Sequence, residues 1–306
     1  MFHVKLLMKF FTIFIFFFAF LFFNKKIVSQ ILHVNPSSFT DKIFSSDSHF
    51  NPLFIRRNKI KSIKNSISIK EDMREIQETP LFHEYFFNDQ GVLIKQLETY
   101  YRIYLDVDTI LTIYNYNTNG QIISEIKKDN KGYFTYKYTY NSDQLLQSYT
   151  YTKSKNFPDG KNELVIFRET YQYLIHNDSV VKRELINDIG KAYKAEGFYY
   201  NEIGRLNEKY NNLITSKIGK IYNYSYNDFG RVLKLQIQSL PTKKDLSEIM
   251  YTYDNLGNLM TETLYKKNKK HIHNEFIYDQ HLLLKAQLSK QEETGRITIY
   301  KFKYVF

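Results

Sequence analysis

Residues Tyr222–Gln238 read YNYSYNDFGRVLKLQIQ, a β-hairpin written in one line. Tyr222, Tyr224 and Tyr226 alternate with polar residues, so they share one face of an extended strand. Asn227-Asp228-Phe229-Gly230 then marks a turn. Asn at its first position and Gly at its fourth suit a type I turn in which Gly takes the left-handed conformation and forms a bulge. Leu233, Leu235 and Ile237 continue as an alternating apolar set on the returning arm.

Working outward, the same turn recurs. It appears after Phe87, Tyr116, Tyr140, Tyr200, Tyr226, Tyr253 and Tyr278, with gaps of 29, 24, 60, 26, 27 and 25 residues. The gap of 60 holds a degraded copy, YQYLIHNDSVV at 171–181, and an insertion at 153–163 around Asn156-Phe157-Pro158-Asp159-Gly160. The terminal ITIYKFKYVF places Tyr304 where one more repeat would put its aromatic residue. A second kind of turn lies between the Tyr-led ones, as at Asn130-Lys131-Gly132, Asn187-Asp188-Ile189-Gly190 and Glu292-Glu293-Thr294-Gly295.

A turn about every 13 residues leaves strands of about eight, an all-β signal. Connections this short permit only antiparallel neighbours. The expected fold is therefore all-β: antiparallel hairpins of about 26 residues forming one long twisted or curled meander sheet over 59–306. Sixteen or so strands laid flat would span ~75 Å, and sheets of that width twist, curl or fold over. Ile60, Ile63, Ile67 and Ile69 mark the first strands, and Met73–Glu78 reads as a helical turn or a strand.

Strings such as YNTNGQI (116–122), YNEIGRL (200–206), YNDFGRV (226–232) and YDNLGNL (253–259) resemble the YD repeat, also called the RHS repeat. The resemblance covers roughly Leu81 to Phe306. It implies an antiparallel sheet that can spiral into a hollow shell, on an exported or surface bacterial protein. The core-associated motif and toxin-like C-terminal domain of the large members have no counterpart here. The chain looks more like small secreted YD-repeat proteins, for which the resemblance implies no settled activity.

Residues 1–29 have the shape of a secretory signal peptide. Lys5 and Lys9 precede the apolar run Phe10–Phe23, and Ser29 stands at a plausible cleavage point. An uncleaved N-terminal anchor is the competing reading, favoured by Lys25, Lys26 and Ile27. Either exports the remainder to periplasm, surface or medium, unless Lys25 and Lys26 hold it inside. Residues 30–58, rich in Ser, Asn, Asp and Pro, read as an irregular linker or lead-in whose Phe39, Phe44, Phe50 and Phe54 could pack on the first strands.

The 306-residue chain has 27 Tyr and 25 Phe, but neither Trp nor Cys. The lack of Cys excludes disulfides, thiolate ligands, a Cys nucleophile and a lipidated N-terminal Cys. Net charge is +11, of which the four Lys of 1–29 supply four. The rest suits a solvated Lys-rich surface. Aromatic residues mixed with Lys can bind single-stranded nucleic acid, but export and dispersed charge argue against it.

Candidate sites follow from residue type and position. The stripes Tyr136/Tyr138/Tyr140, Tyr222/Tyr224/Tyr226 and Tyr251/Tyr253 could stack on sugar rings, or set strand register. Because they follow the repeat, register is the stronger reading. Tyr101, Tyr104 and Tyr193 fall outside the repeat frame and are the better ligand candidates. His271, His273 and Glu275 share a strand face as a possible metal set, opposed by Lys266, Lys267, Lys269 and Lys270. The turn residues Asn88, Asn117, Asn141, Asn201, Asn227, Asp254 and Asp279 are expected to bond turn backbone N–H groups.

Neither a nucleophile elbow, a phosphate loop nor HExxH occurs. No residue is assigned a catalytic, cofactor-binding or metal-binding role. The expected function is a non-enzymatic scaffold or binding module with a protein or glycan partner, no nucleic acid, and no stable membrane insertion after signal cleavage. The alternatives are a glycan-active enzyme with carboxylates in a cleft of the curled sheet, or a shell component joined by strand addition at edges near Ile60 and Tyr300–Tyr304. Function is expected where the repeat breaks: 30–58, 153–163, 171–181 or the His271–His273 edge.

Overall fold

A computed structural model of the chain describes residues 50–102, 106–158 and 162–306. One short helix, α1 (Pro52–Arg57), precedes eighteen strands. These are β1 (Ser62–Lys70), β2 (Gln77–Phe87), β3 (Leu93–Tyr101), β4 (Val107–Tyr116), β5 (Ile122–Asp129) and β6 (Gly132–Tyr140). Next come β7 (Leu146–Ser154), β8 (Leu164–His176), β9 (Val180–Asn187), β10 (Ala192–Tyr200), β11 (Leu206–Leu213) and β12 (Gly219–Tyr226). The last are β13 (Val232–Leu240), β14 (Asp245–Tyr253), β15 (Leu259–Lys266), β16 (Lys269–Tyr278), β17 (Leu284–Gln291) and β18 (Ile297–Val305). Met73–Glu78 resolves into a turn followed by the start of β2.

The β12–β13 turn forms as its residues dictate. Asn227 N–H donates to Arg231 O at 2.9 Å, Gly230 N–H to Asn227 O at 2.8 Å, and Arg231 N–H to Asn227 Oδ1 at 2.9 Å. Gly230 has φ +80°. Tyr226 opposes Val232 while Ser225 opposes Lys234, so Leu233 is the extra residue of a bulge. That corrects the simple alternation read along this arm. Val232 turns inward and is 1% exposed, while Leu233 faces out at 40%. The same slip follows the turns after β2, β4 and β14, burying Leu93, Ile122 and Leu259 and exposing Ile94, Ile123 and Met260.

The meander closes. β1 pairs with β2 on one side and antiparallel with β18 on the other, from Ser62 opposite Val305 to Lys70 opposite Ile297. The open curled sheet expected above is instead an eighteen-stranded barrel. Strand addition at Ile60 and Tyr300–Tyr304 is overturned with it, because those edges satisfy each other. An even number of antiparallel strands brings the last back antiparallel to the first, and closure removes both exposed edges. One overhang remains. Leu164–Arg168 of β8 run past the last β8–β9 pair, Glu169 with Asn187, and leave Leu164, Val165 and Ile166 exposed.

One mouth of the ring holds α1. Asn51 caps it by accepting from Leu53 N–H at 3.0 Å, and Pro52 sits in its first turn. Phe50, Phe54 and Ile55 are buried with Ile60, Ile63, Tyr85, Phe87 and Leu93, and Tyr114, Leu283, Phe302 and Tyr304 pack against them. That group reaches from β4, across the closing pair, to the β16–β17 turn. It therefore lies within the ring, and the face it packs on is the inner one. Phe50 and Phe54 pack on the first strands as expected, Phe54 from α1 and Phe50 from just before its cap. Phe39, Phe44 and residues 1–29 lie outside the described residues.

The tyrosine stripes continue this inner face. Tyr114 joins the α1 cluster to one on β4–β8, and Phe302 joins it to one on β12–β18. Tyrosines at the strand ends form a ladder around the rim. Tyr116 Oη donates to Leu93 O at 2.7 Å, Tyr140 to Ile122 O at 2.7 Å, and Tyr173 to Leu146 O at 3.1 Å. Tyr226 donates to Leu206 O at 2.5 Å, Tyr278 to Leu259 O at 3.0 Å, and Tyr304 to Leu284 O at 2.6 Å. Polar pairs lie on the outward face among the exposed apolar side chains: Thr139 meets Ser148 at 2.7 Å, Thr252 meets Thr261 at 2.7 Å, and Lys234 pairs with Glu248.

Candidate functional site

The degraded repeat at 171–181 keeps its lead aromatic, Tyr173, but not its turn. Asn177 Oδ1 accepts from Ser179 N–H at 3.0 Å and Val180 N–H at 2.8 Å, closing a shorter loop without Gly. The extra residue moves to the incoming strand, as Leu174 between Tyr173 and Ile175. The rim ladder breaks one strand pair later, where Tyr200 Oη is buried with no hydrogen-bond partner.

Beside this irregularity, the inner faces of β5 to β10 line an open chamber of about 480 Å³. Its wall has an aromatic column running from β6 to β7. Phe134 stacks on Tyr151 (6.1 Å, 19°), Tyr151 on Tyr136 (4.7 Å, 12°), and Tyr136 on Tyr149 (5.9 Å, 17°). Tyr138 tilts against Tyr149 at 5.5 Å. Tyr136 and Tyr138 of the sequence stripe thus make cross-strand ring contacts.

Charged groups enter the chamber where the register sets them opposite inward aromatics. Glu125 opposes Tyr136, Glu169 opposes Tyr149, Arg183 opposes Tyr173, and Glu196 opposes Arg183. Glu196 receives Arg183 Nε at 2.9 Å and Nη2 at 2.5 Å, and Lys194 Nζ at 2.9 Å. Arg183, only 2% exposed, also lies over the Tyr171 ring at 4.5 Å. Burial alone would raise the Glu196 carboxyl, but the adjacent Arg183 and Lys194 outweigh it and hold the carboxyl below its ordinary value.

Glu169 is 6% exposed. Tyr171 Oη donates to it at 3.0 Å, and Tyr193 Oη donates to its other oxygen. Burial, followed by the field of Tyr151 and a hydrogen bond with it and then by Glu125, pushes the Tyr136 hydroxyl up to about 12. Burial first and then Glu125 raise Tyr138, and burial followed by the Glu169 hydrogen bond raises Tyr193. These phenols stay neutral at physiological pH, as donors and acceptors of hydrogen bonds.

Of the ligand candidates read from sequence, Tyr193 lies in the chamber, Tyr101 is exposed at the end of β3, and Tyr104 lies outside the described residues. The degraded copy contributes Tyr171. In the 153–163 insertion, Glu163 instead receives Lys137 Nζ at 2.9 Å and Thr152 Oγ1 at 2.9 Å, on the opposite face of the sheet. His273 shares a hydrogen bond with Thr263 at 2.8 Å and faces Glu275 at 3.3 Å. Among the described residues no group of three His, Asp or Glu is placed to hold a metal. The turn residues bond backbone N–H groups, as Asp254 does with Asn258 at 2.8 Å and Asp279 with Leu283 at 2.9 Å. Glu125, Glu169, Arg183, Lys194 and Glu196 were not singled out from the sequence. Their signal is a charge in the inward register of a tyrosine-rich strand.

No family model matches the chain, and no curated protein does. Among solved structures it is similar to a porin-like protein from Bacteroides uniformis, at 13% identity and TM-score 0.41, over 80% of this chain and 96% of that one. It is also similar to the Photorhabdus luminescens Tc holotoxin pore, at 11% identity and TM-score 0.22, over 69% of this chain and 16% of that one. A LolA superfamily protein from Nitrosomonas europaea aligns at 6% identity and TM-score 0.19, over 80% and 84% of the two chains. With every TM-score below 0.5, these likenesses fix neither a family nor a function.

Proposed function

We propose that this chain is an exported, non-enzymatic β-repeat barrel of the YD-repeat kind, acting as a scaffold or binding module at or outside the bacterial cell envelope. The observation that carries the reading is the chamber on β5–β10, whose charged groups are engaged in binding one another and the surrounding phenols. A general acid at neutral pH needs a carboxyl raised toward 6 or 7. Glu196 is shifted the other way by two cations, and Glu169 is held by two phenol hydroxyls. The export half of the reading rests on the signal-peptide shape of 1–29.

The outer surface mixes polar pairs with exposed apolar side chains such as Ile94, Ile123, Leu233 and Met260. A lipid-facing barrel carries an apolar band with aromatic girdles. Thr139 with Ser148, Thr252 with Thr261, and Lys234 with Glu248 interrupt any such band. Among the described residues no helix is long and apolar enough to cross a membrane.

Two measurements test the reading. Fractionation of cells expressing the full chain is expected to recover it in periplasm, envelope or medium; recovery from cytoplasm with 1–29 intact overturns export. Incubation of the barrel with reduced oligosaccharides, followed by chromatography, is expected to leave them unchanged. Release of shorter products that disappears in Glu169→Gln establishes a glycan-active enzyme instead.

A further inference from the structure

We propose that the chamber on β5–β10 binds an organic ammonium ion, a primary amine or polyamine with an aliphatic body. The inference rests on the reading of the chamber as a binding site and names the ligand class. The lining carries three carboxylates, Glu125, Glu169 and Glu196, against two basic groups, Arg183 and Lys194. Both basic groups are bound to the same carboxylate, Glu196, which leaves one positive charge over at that corner and one negative charge over on the lining as a whole. Glu125 and Glu169 are the carboxylates of the other side, and of these Glu169 carries the inference.

Glu169 is the centre of the argument. It is a buried carboxylate that accepts hydrogen bonds from two neutral phenols, Tyr171 and Tyr193. No ion pair among the described residues includes it. A buried charge gains most from an opposite charge that is also removed from water. An ammonium group supplies that charge with three donors, matching the free lone pairs of a carboxylate and of phenol oxygens.

The remaining wall suits the rest of such a ligand. Phe167 and Leu185 offer apolar contact, and Tyr136, Tyr138 and Tyr149 offer ring edges and hydroxyls. Glu125 extends the negative field along this aromatic wall, since it adds to the upward shifts of Tyr136, Tyr138 and Tyr149. An anionic ligand finds the Arg183 and Lys194 donors already bonded to Glu196, and Glu169 repels it. A neutral sugar finds hydroxyl partners but leaves the Glu169 charge uncompensated.

Calorimetric titration of the full exported chain with spermidine, its neutral triacetylated form and maltotriose tests the class. Spermidine is expected to bind and the two neutral compounds are not. Glu169→Gln is expected to weaken spermidine about tenfold or more, the loss of one charge-assisted contact. Glu275→Gln, on the outer face beside His273, is expected to leave the affinity unchanged. Equal binding of spermidine and its triacetylated form by the unaltered protein overturns the proposal without recourse to any variant. So does full affinity in Glu169→Gln, provided its circular dichroism matches the parent. Maltotriose bound in place of spermidine overturns the ammonium class and leaves the chamber a binding site. Silence from all three probes also overturns the ammonium inference, whereas the scaffold reading falls only to the fractionation and hydrolysis results described above.

Discussion

Tyr253 Oη donates a hydrogen bond to Val232 O at 2.7 Å, and Tyr200, at the same place in an earlier repeat, has no partner for its buried hydroxyl. The two positions should respond oppositely to loss of one oxygen atom. Tyr253→Phe removes a bond worth about 1 kcal/mol and lowers the melting temperature by about 2–4 °C. Tyr200→Phe removes an unsatisfied group and is neutral or stabilising. Thermal melts of both variants decide this; equal shifts would show that the rim ladder carries no stability.

Turn glycines separate strain from collision. Gly120 has φ +77° and open space where a Cβ would stand. Gln144 and Leu282 occupy the corresponding turn position at φ 62° and 63°, so a side chain is tolerated there. Gly120→Ala should cost only the left-handed strain, about 1–2 kcal/mol. Gly91 has φ +76°, and a Cβ there would meet Pro52 O at 2.1 Å and Arg56 N at 2.8 Å, both backbone atoms of α1. Gly91→Ala must therefore displace the helix and cost clearly more. Urea unfolding of the pair tests the order, and the reverse order would place α1 elsewhere.

The hairpins were legible because their signals are local. Asn227, Gly230 and the period-two tyrosines each act within a few residues, and the register repeats them as read. Closure was not legible. It depends on the summed twist and stagger of eighteen hairpins and on Ile67 finding Tyr300, a pairing between the chain's two ends. The inward face of Val232 was hidden for a smaller reason: one bulge residue reverses the alternation after the turn. The chamber was half visible. Tyr193 and the degraded repeat marked the neighbourhood, but Glu169 looked like any strand glutamate until its register set it opposite Tyr149.

The helix at 52–57 belongs to the barrel's core, and one substitution shows how much it contributes. Ile55 is 0% exposed between Phe50, Phe54 and the first strands. Truncating a fully buried Ile to Ala typically costs about 2–5 kcal/mol. Ile55→Ala is expected to lower urea-unfolding stability by that order, with Leu53→Ala, on the exposed side of the same turn, nearly silent. An unchanged midpoint in Ile55→Ala would return this segment to the status of a linker.

Acid should unfold the barrel partly through Glu196. Its carboxyl is held below the ordinary value in the folded state, so its ionised form contributes stability that is present above the unfolded pKa of about 4.3. That contribution fades as pH falls through the lower, folded value. At pH 7, Glu196→Gln leaves Arg183 buried without its carboxylate, a loss of about 3–5 kcal/mol for a broken buried pair. Below the folded pKa the parent has a protonated Glu196 too, and the difference between parent and variant should shrink toward zero. Urea unfolding of both proteins from pH 7 to pH 3 measures that difference directly. A gap that stays constant across the range would mean that Arg183 draws its stability from the Tyr171 ring and its other contacts rather than from the Glu196 charge.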